Sequence, residues 1–271
     1  MPSLYAHYLL GQQSLSKFQP EILKAVTDYR AAFNLGLQGP DFLFFKNFGA
    51  DKDASALSSQ IHKTPFKETL DALTRIYKQA YKSQNEQALS YITGFIGHFA
   101  LDTNGHEYVN YAAHYDNISH MELEAEFDKF LIRKQGLDPF LLDQAALIRA
   151  DGGLKNLVSE LFSDFSLSKN EIERSISDFI KAKKYIVFAQ RHVPFLIEPC
   201  LKMLGVYEFA KGFYYKRKDN AALRGGVLKL FEKYNLALEI YPKLAMEYVR
   251  FLDGGELGEY FDRDFEVYKY E

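Results

Sequence analysis

His98 and Asp102 stand four residues apart in the stretch GFIGHFALDTNGHEYV, residues 94–109, and His120 and Glu124 repeat that spacing in the next segment. On an α-helix such pairs project from one face, with Cβ atoms about 5–6 Å apart, so each pair can grip one cation. Imidazole nitrogen and carboxylate oxygen are the ordinary ligands of zinc where no thiolate is at hand. Taken alone, either pair is more often an ion pair on a helix surface than a metal site, and such a pair contributes little. Two such pairs within 27 residues, beside further histidines, are harder to place there. One of them also lies inside an apolar run of Phe95, Ile96, Phe99, Ala100 and Leu101. Burying several titratable groups is costly unless something pairs with them all, and a metal cluster does so.

The elements that must hold these groups read as helices. PEILKAVTDYRAAFNLG places Pro20 near the first helical position and Gly36 just past the end, with Ile22, Ala25, Val26, Tyr29 and Phe33 on one stripe. Gly39-Pro40 marks a turn, and helices are predicted over 65–81 and 85–103. Asn104-Gly105 predicts a stop, so His106 is read as lying beyond the helix end and turned toward the second pair. Ser119 and Glu122 have the spacing of a capping box and open a helix over 120–133. Further helices are predicted over 138–149, 153–163, 169–189, 194–204 and 226–251, the last bent at Pro242. DFLFF and FEVYKY are the few candidates for strands. The class is therefore all-α, a multi-helix single domain over 1–271. It comprises a metal-binding half, 1–135, and a helical C-terminal half, 136–271, and Asp151-Gly152-Gly153 is the best local signal of a boundary, too short for a linker.

The chain has 271 residues, enough for a large core, and a formal net charge of −3 gives no basic excess for duplex nucleic acid. Cys200 is the lone cysteine, so no internal disulfide can form, and its surroundings read as core. The start, MPSLYAHYLLGQQ, has neither the basic nor the apolar region of a signal peptide. No uninterrupted run of about 18 apolar residues predicts a transmembrane segment. A cytoplasmic protein is expected. There is no P-loop pattern.

The order His7, Asp41, His62, His98-x-x-x-Asp102, His106, His120-x-x-x-Glu124 resembles the zinc-dependent phospholipase C family over about residues 1–130, including the step from His106 to His120. That family is an all-α fold with a cluster of three zinc ions. The resemblance implies that Asp41, His62, His98 and Asp102 hold one zinc, and that His106, His120 and Glu124 hold a second. His7 would hold a third, with Asp102 as a bridge. In the family the third metal is completed by a processed N-terminal tryptophan, whereas this chain has no Trp and only six residues before His7. Two to three zinc ions are therefore expected, and Pro2 is a possible N-terminus. Outside that pattern Asp41 reads as a turn residue after Pro40, His62 as a surface or capping residue, and His7 as a terminal histidine. His114 and His192 match no place in it and read as structural or surface residues.

Adjacent zinc ions clamp a phosphate and lower the pKa of a shared water, so the resemblance implies hydrolysis of phosphoric esters. Asp41 would orient or deprotonate that water. The substrate would be a small phosphoester or a phospholipid, with Phe42 a residue for a headgroup pocket or, more simply, for the core. Two alternatives stay open: a nuclease or nucleotidase with the same type of cluster, and a non-catalytic metal-binding protein.

Overall fold

The computed structural model describes residues 4–80, 86–116, 118–205 and 207–267. The first half runs through α1 (Leu4–Ser14), α2 (Pro20–Asp28), α3 (Arg30–Gly36), a 3-10 segment (Asp41–Gly49), α4 (Lys52–Lys63), α5 (Phe66–Ala80), α6 (Glu86–Tyr115) and α7 (His120–Lys134). The second half adds α8 (Gly152–Leu161), α9 (Lys169–His192), α10 (Pro194–Met203), the single turn α11 (Tyr207–Ala210) and α12 (Arg224–Leu252). No strand occurs among the described residues, and the fold is all-α as the periodicity predicts.

The thirty-residue α6 is buried around nearly its whole circumference from Ala88 to His106, with α1, α2, α3 and α12 packed about it. A helix that is apolar all round belongs at the centre of a fold. Glycine allows the closest of these approaches. A Cβ on Gly36 would come within 2.0 Å of the Tyr91 carbonyl oxygen, and one on Gly94 within 2.3 Å of the Phe33 carbonyl oxygen. Backbone therefore meets backbone where α3 crosses α6. Side chains from Leu4 to Phe265 share one hydrophobic core.

Several elements depart from the sequence reading. The helix expected from Pro20 to just before Gly36 breaks at Tyr29 (φ −116°, ψ 49°), whose carbonyl accepts a bond from Ser90 Oγ on α6. Asn104-Gly105 does not stop α6. The Asn104 amide donates to the Ala100 carbonyl and to the Tyr260 hydroxyl, both at 2.7 Å, so its turn-forming side chain is consumed by helix and tertiary partners. His106 is consequently on the same helix as His98 and Asp102. Ser119 does precede α7, but Glu122 pairs with Lys216 and no capping box forms. Residues 138–149 form turns and a short 3-10 segment, Gln144–Leu147, because Asp138 and Asp143 bond the backbone of Phe140 and Ala146 instead. DFLFF lies in the 3-10 segment, residues 265–267 are not a strand, and the rest of FEVYKY lies outside the described residues. Cys200 is exposed rather than core.

Candidate metal centre

Five elements deliver the eight residues. His7 comes from α1 and Asp41 from the first residue of the 3-10 segment. His62 comes from the last turn of α4, where it is buried rather than at the surface. His98, Asp102 and His106 are three successive rungs of α6, and His120 and Glu124 open α7. Their side chains meet around Asp102. Its Oδ1 lies 3.3 Å from His7 Nε2 and 3.9 Å from His106 Nε2; its Oδ2 lies 3.1 Å from His98 Nε2 and 3.7 Å from His62 Nε2. Asp41 Oδ1 is 3.2 Å from His62 Nε2. Glu124 Oε1 is 3.2 Å from His120 Nε2 and 3.4 Å from His106 Nε2.

Three trios have ligand atoms within 4.8 Å of one another and could each hold a metal ion: His7–His98–Asp102, Asp41–His62–His98 and His106–His120–Glu124. The last consists of the three residues that the resemblance groups together, and Asp41–His62–His98 of three of the four it assigns to another metal; the first trio adds His98 to His7 and Asp102. The two oxygens of Asp102 face different histidines. His114 and His192 stand apart, His114 against Tyr115 and His192 against Phe188. Pro2 lies outside the described residues.

The donor set suits a cation. His62 Nε2, both ring nitrogens of His98, His106 Nε2, Asp102 Oδ2 and Glu124 Oε2 are buried and have no hydrogen-bond partner among the described residues. Orphans of this kind are rare singly, because each costs about 1–3 kcal/mol. Several converging on one point are what a set of divalent cations would satisfy. Only His120, with 23% of its side chain accessible, opens toward solvent. The cavity beside His7, Asp102, His106 and Glu124 measures about 20 Å³, room for one water. A larger cleft, about 490 Å³ between Lys24, Tyr77, Glu86 and Leu252, shares no residue with the cluster.

Outer contacts aim the rings. His62 Nδ1 donates to the Ser58 carbonyl and His106 Nδ1 to the Phe265 carbonyl, each at 2.8 Å, which leaves Nε2 of both facing the cluster. The C-terminal segment is held in turn by Phe66, Thr103 and Asn110, which donate to the carbonyls of Arg263, Asp264 and Glu266. Asp128, buried on α7, accepts the backbone N–H groups of Tyr5 and Ala6 and so satisfies the first turn of the helix that carries His7. Sequence reasoning missed Asp128. The available signal was its place four residues after Glu124 on the inward face of α7. Phe265 acts through its backbone and left no signal.

Gly39 (φ +51°) brings the chain against His98 just before Asp41; a Cβ there would sit 2.1 Å from His98 Cδ2. Gly39→Ala combines a left-handed backbone with a clash against a ring that has nowhere to go. It is expected to cost about 2–4 kcal/mol in chemical denaturation and to weaken zinc uptake. Unchanged stability and uptake would show that the ring is free to shift.

Charge is tightly balanced within the cluster. Burial favours neutral carboxyls, yet His106, His98 and His7 hold Asp102 well below the usual carboxylate range, and His120 and His106 hold Glu124 at about 2. Burial, with help from His7, takes His98 down to about 4 against the pull of Asp102, so its ring is neutral, as a ligand must be. Burial works the same way on His106 but is outweighed by Asp102, Glu124 and Glu266, which raise it to about 10.

Lys183 on α9 is buried beside the cluster, its Nζ within 5.4–5.9 Å of the ring centres of Phe45, Phe179 and Phe213. Burial lowers its pKa from 10.5 to about 8, with Asp128 and Asp41 opposing. The ammonium is therefore a cost to folding that is fully present below about pH 8 and vanishes as pH rises toward the unfolded value. Lys183→Met is expected to stabilise the fold by about 1–3 kcal/mol at pH 7 in urea denaturation, the cation–π contacts offsetting part of the burial cost. The gain should fade by pH 10. Destabilisation at pH 7 would instead assign the charge a supporting role between the two aspartates.

No curated protein and no solved structure matches the chain. A model of the family described as zinc dependent phospholipase C matches residues 6–188. That span runs from α1 into α9, covers well over half of the sequence and includes all eight residues that converge on Asp102. The chain belongs to the zinc dependent phospholipase C family.

Proposed function

We propose that the chain is a zinc-dependent hydrolase of phosphoric esters with a multinuclear cluster of two to three ions, acting on a small phosphoester or a phospholipid. The observation that carries this reading is the convergence of buried, unsatisfied imidazole and carboxylate atoms in three overlapping trios. His7, Asp41, His62, His98, Asp102, His106, His120 and Glu124 would hold the metals. Zinc at such positions supplies Lewis acidity toward a phosphoryl oxygen and an acidified water. Asp102, with its two oxygens aimed at different histidines, would bridge two positions. Asp41 would hold the attacking water in line by accepting its hydrogen bond. His120, at the open edge, marks where substrate enters.

The size of the cleft favours a second reading. A cavity of about 20 Å³ admits a water but no phosphate group, which suits a metal-binding protein without turnover. Elemental analysis combined with turnover of an aryl phosphodiester separates the two. Two to three zinc ions per chain with zinc-dependent hydrolysis is the expected result. Zinc-loaded protein that turns over no phosphodiester, phospholipid or nucleotide would leave the non-catalytic reading, and protein that takes up no zinc would end both.

A further inference from the structure

Beyond the cluster, the end of α9 and the whole of α10 present an unusual surface. None of the residues of α10 is buried. Leu196, Cys200, Met203 and Leu204 fall at helical spacing along one stripe of it, and all four are exposed, Met203 at 80% and Leu204 at 67%. Phe195 at the start of the helix is 71% exposed, and on α9 Tyr185 and Phe188 are 63% and 61% exposed. Between the two helices lies a cavity of about 250 Å³ lined by Tyr185, Ala189, Ile197, Leu201 and Phe213. Phe48 extends the surface. It stacks on Tyr185 at 6.0 Å with its backbone in the left-handed region (φ 55°), a conformation that costs a bulky residue energy and is spent here on holding a ring in solvent. A soluble surface rarely gathers this many large apolar side chains without a partner.

The charge around this surface identifies the partner. Apart from the buried Lys183, residues 181–218 carry eight lysines and arginines against two glutamates, in a chain whose net charge is −3. Lys184 and Lys218 are exposed and have no carboxylate partner among the described residues. Arg217 flanks the groove of about 350 Å³ that runs from Phe195 to Lys216. Exposed aromatic and aliphatic side chains bordered by lysine and arginine are the pattern of a helix lying in the interface of an anionic bilayer, with the rings among the acyl chains and the cations on the phosphates. We infer that α10, the end of α9 and the 211–218 connection form a docking surface for an anionic lipid bilayer. The surface reaches the cluster's rim, since Gly212 packs against Met121 and Lys216 pairs with Glu122, beside His120.

Docking needs no turnover, so it is tested apart from the phosphoester reading. The full chain is centrifuged with vesicles of phosphatidylcholine alone and with vesicles containing about one third phosphatidylserine. Binding is expected to the anionic vesicles, at least about tenfold tighter than to the neutral ones, and to fall about tenfold on raising salt from about 0.1 to 0.5 M. Lys184→Glu with Lys218→Glu should weaken it more than about tenfold, since each basic residue contributes roughly fivefold. Phe195→Ser, Met203→Ser and Leu204→Ser together should weaken it by a similar factor with an unchanged melting temperature, because all three side chains are exposed. Absence of binding to anionic vesicles, equal binding to both kinds, or insensitivity to both variants would overturn the inference. So would concentration-dependent dimerisation that the triple serine variant abolishes, which would assign the face to a second copy of the chain.

Discussion

Removing metal from the purified protein is expected to lower its melting temperature by roughly 15–25 °C. An ion present at a thousandfold excess over its Kd stabilises the native state by about 4 kcal/mol if the unfolded chain does not bind it. Two or three such ions give about 8–12 kcal/mol, and for a chain of this length each kcal/mol is worth roughly 2 °C. The structure gives a reason for the upper part of that range. His98 is completely buried, Asp102 and His106 nearly so, and all three lie on the central helix, where water cannot replace a missing partner without opening the core. The emptied site would have to protonate, pair its carboxylates with imidazolium rings or partly unfold. The check is a melting curve before and after chelation, with zinc measured in both samples and restored in a third. A curve that does not move after verified removal would mean that the eight side chains satisfy one another and that metal plays no part in the fold.

How much of this was legible in the sequence varies with what holds each element. The helices with clear amphipathic stripes, α5, α7, α9 and α12, lie within a few residues of their predicted ranges. Besides the single turn α11, the helices missed outright are α1 and α4, which are short and carry two of the eight cluster residues. α1 buries most of its circumference, so no stripe shows, and its first turn is satisfied by Asp128 more than a hundred residues away. Asn104-Gly105 misled for a related reason: its turn preference is local, and a buried helix with tertiary partners for Asn104 overrides it. The His-x-x-x-Asp and His-x-x-x-Glu pairs were readable because helical spacing alone brings their members together. Nothing local connects His7, Asp41 and His62 to them. Their place beside the α6 pair rested on resemblance, and in space all three lie against Asp102 or His98. The exposed face of α10 was hidden by its own composition, since an apolar stripe reads as core whether or not anything covers it.

Asp41→Asn is expected to lose roughly 10²–10³-fold in phosphodiester hydrolysis while keeping most of its zinc. Seven of the eight cluster residues are fixed on α-helices, whereas Asp41 begins a 3-10 segment directly after Gly39 and Pro40. Its carboxylate reaches the cluster from this segment, with Oδ1 3.2 Å from His62 Nε2. Burial favours its neutral form, but the imidazoles of His62 and His98 close beside it hold it well below the usual carboxylate range. It is therefore ionised at neutral pH and a strong hydrogen-bond acceptor, yet a poor proton sink, because general-base efficiency is greatest when the pKa lies near the working pH. A group of this kind acts by orientation, which sets the expected loss near the lower part of the range of about 10²–10⁴ for a positioned acid or base. Asparagine keeps one oxygen for a ligand or acceptor role and replaces the other with a donor that points an attacking water the wrong way. Asp102→Asn is the contrast, since its two oxygens face His7 and His98 separately, and its loss should empty more than one metal position. Zinc and turnover measured on both variants decide the matter. Activity lost with zinc retained in Asp41→Asn gives Asp41 the water. Zinc lost in proportion to activity makes it a ligand alone, and full activity would remove it from the reaction.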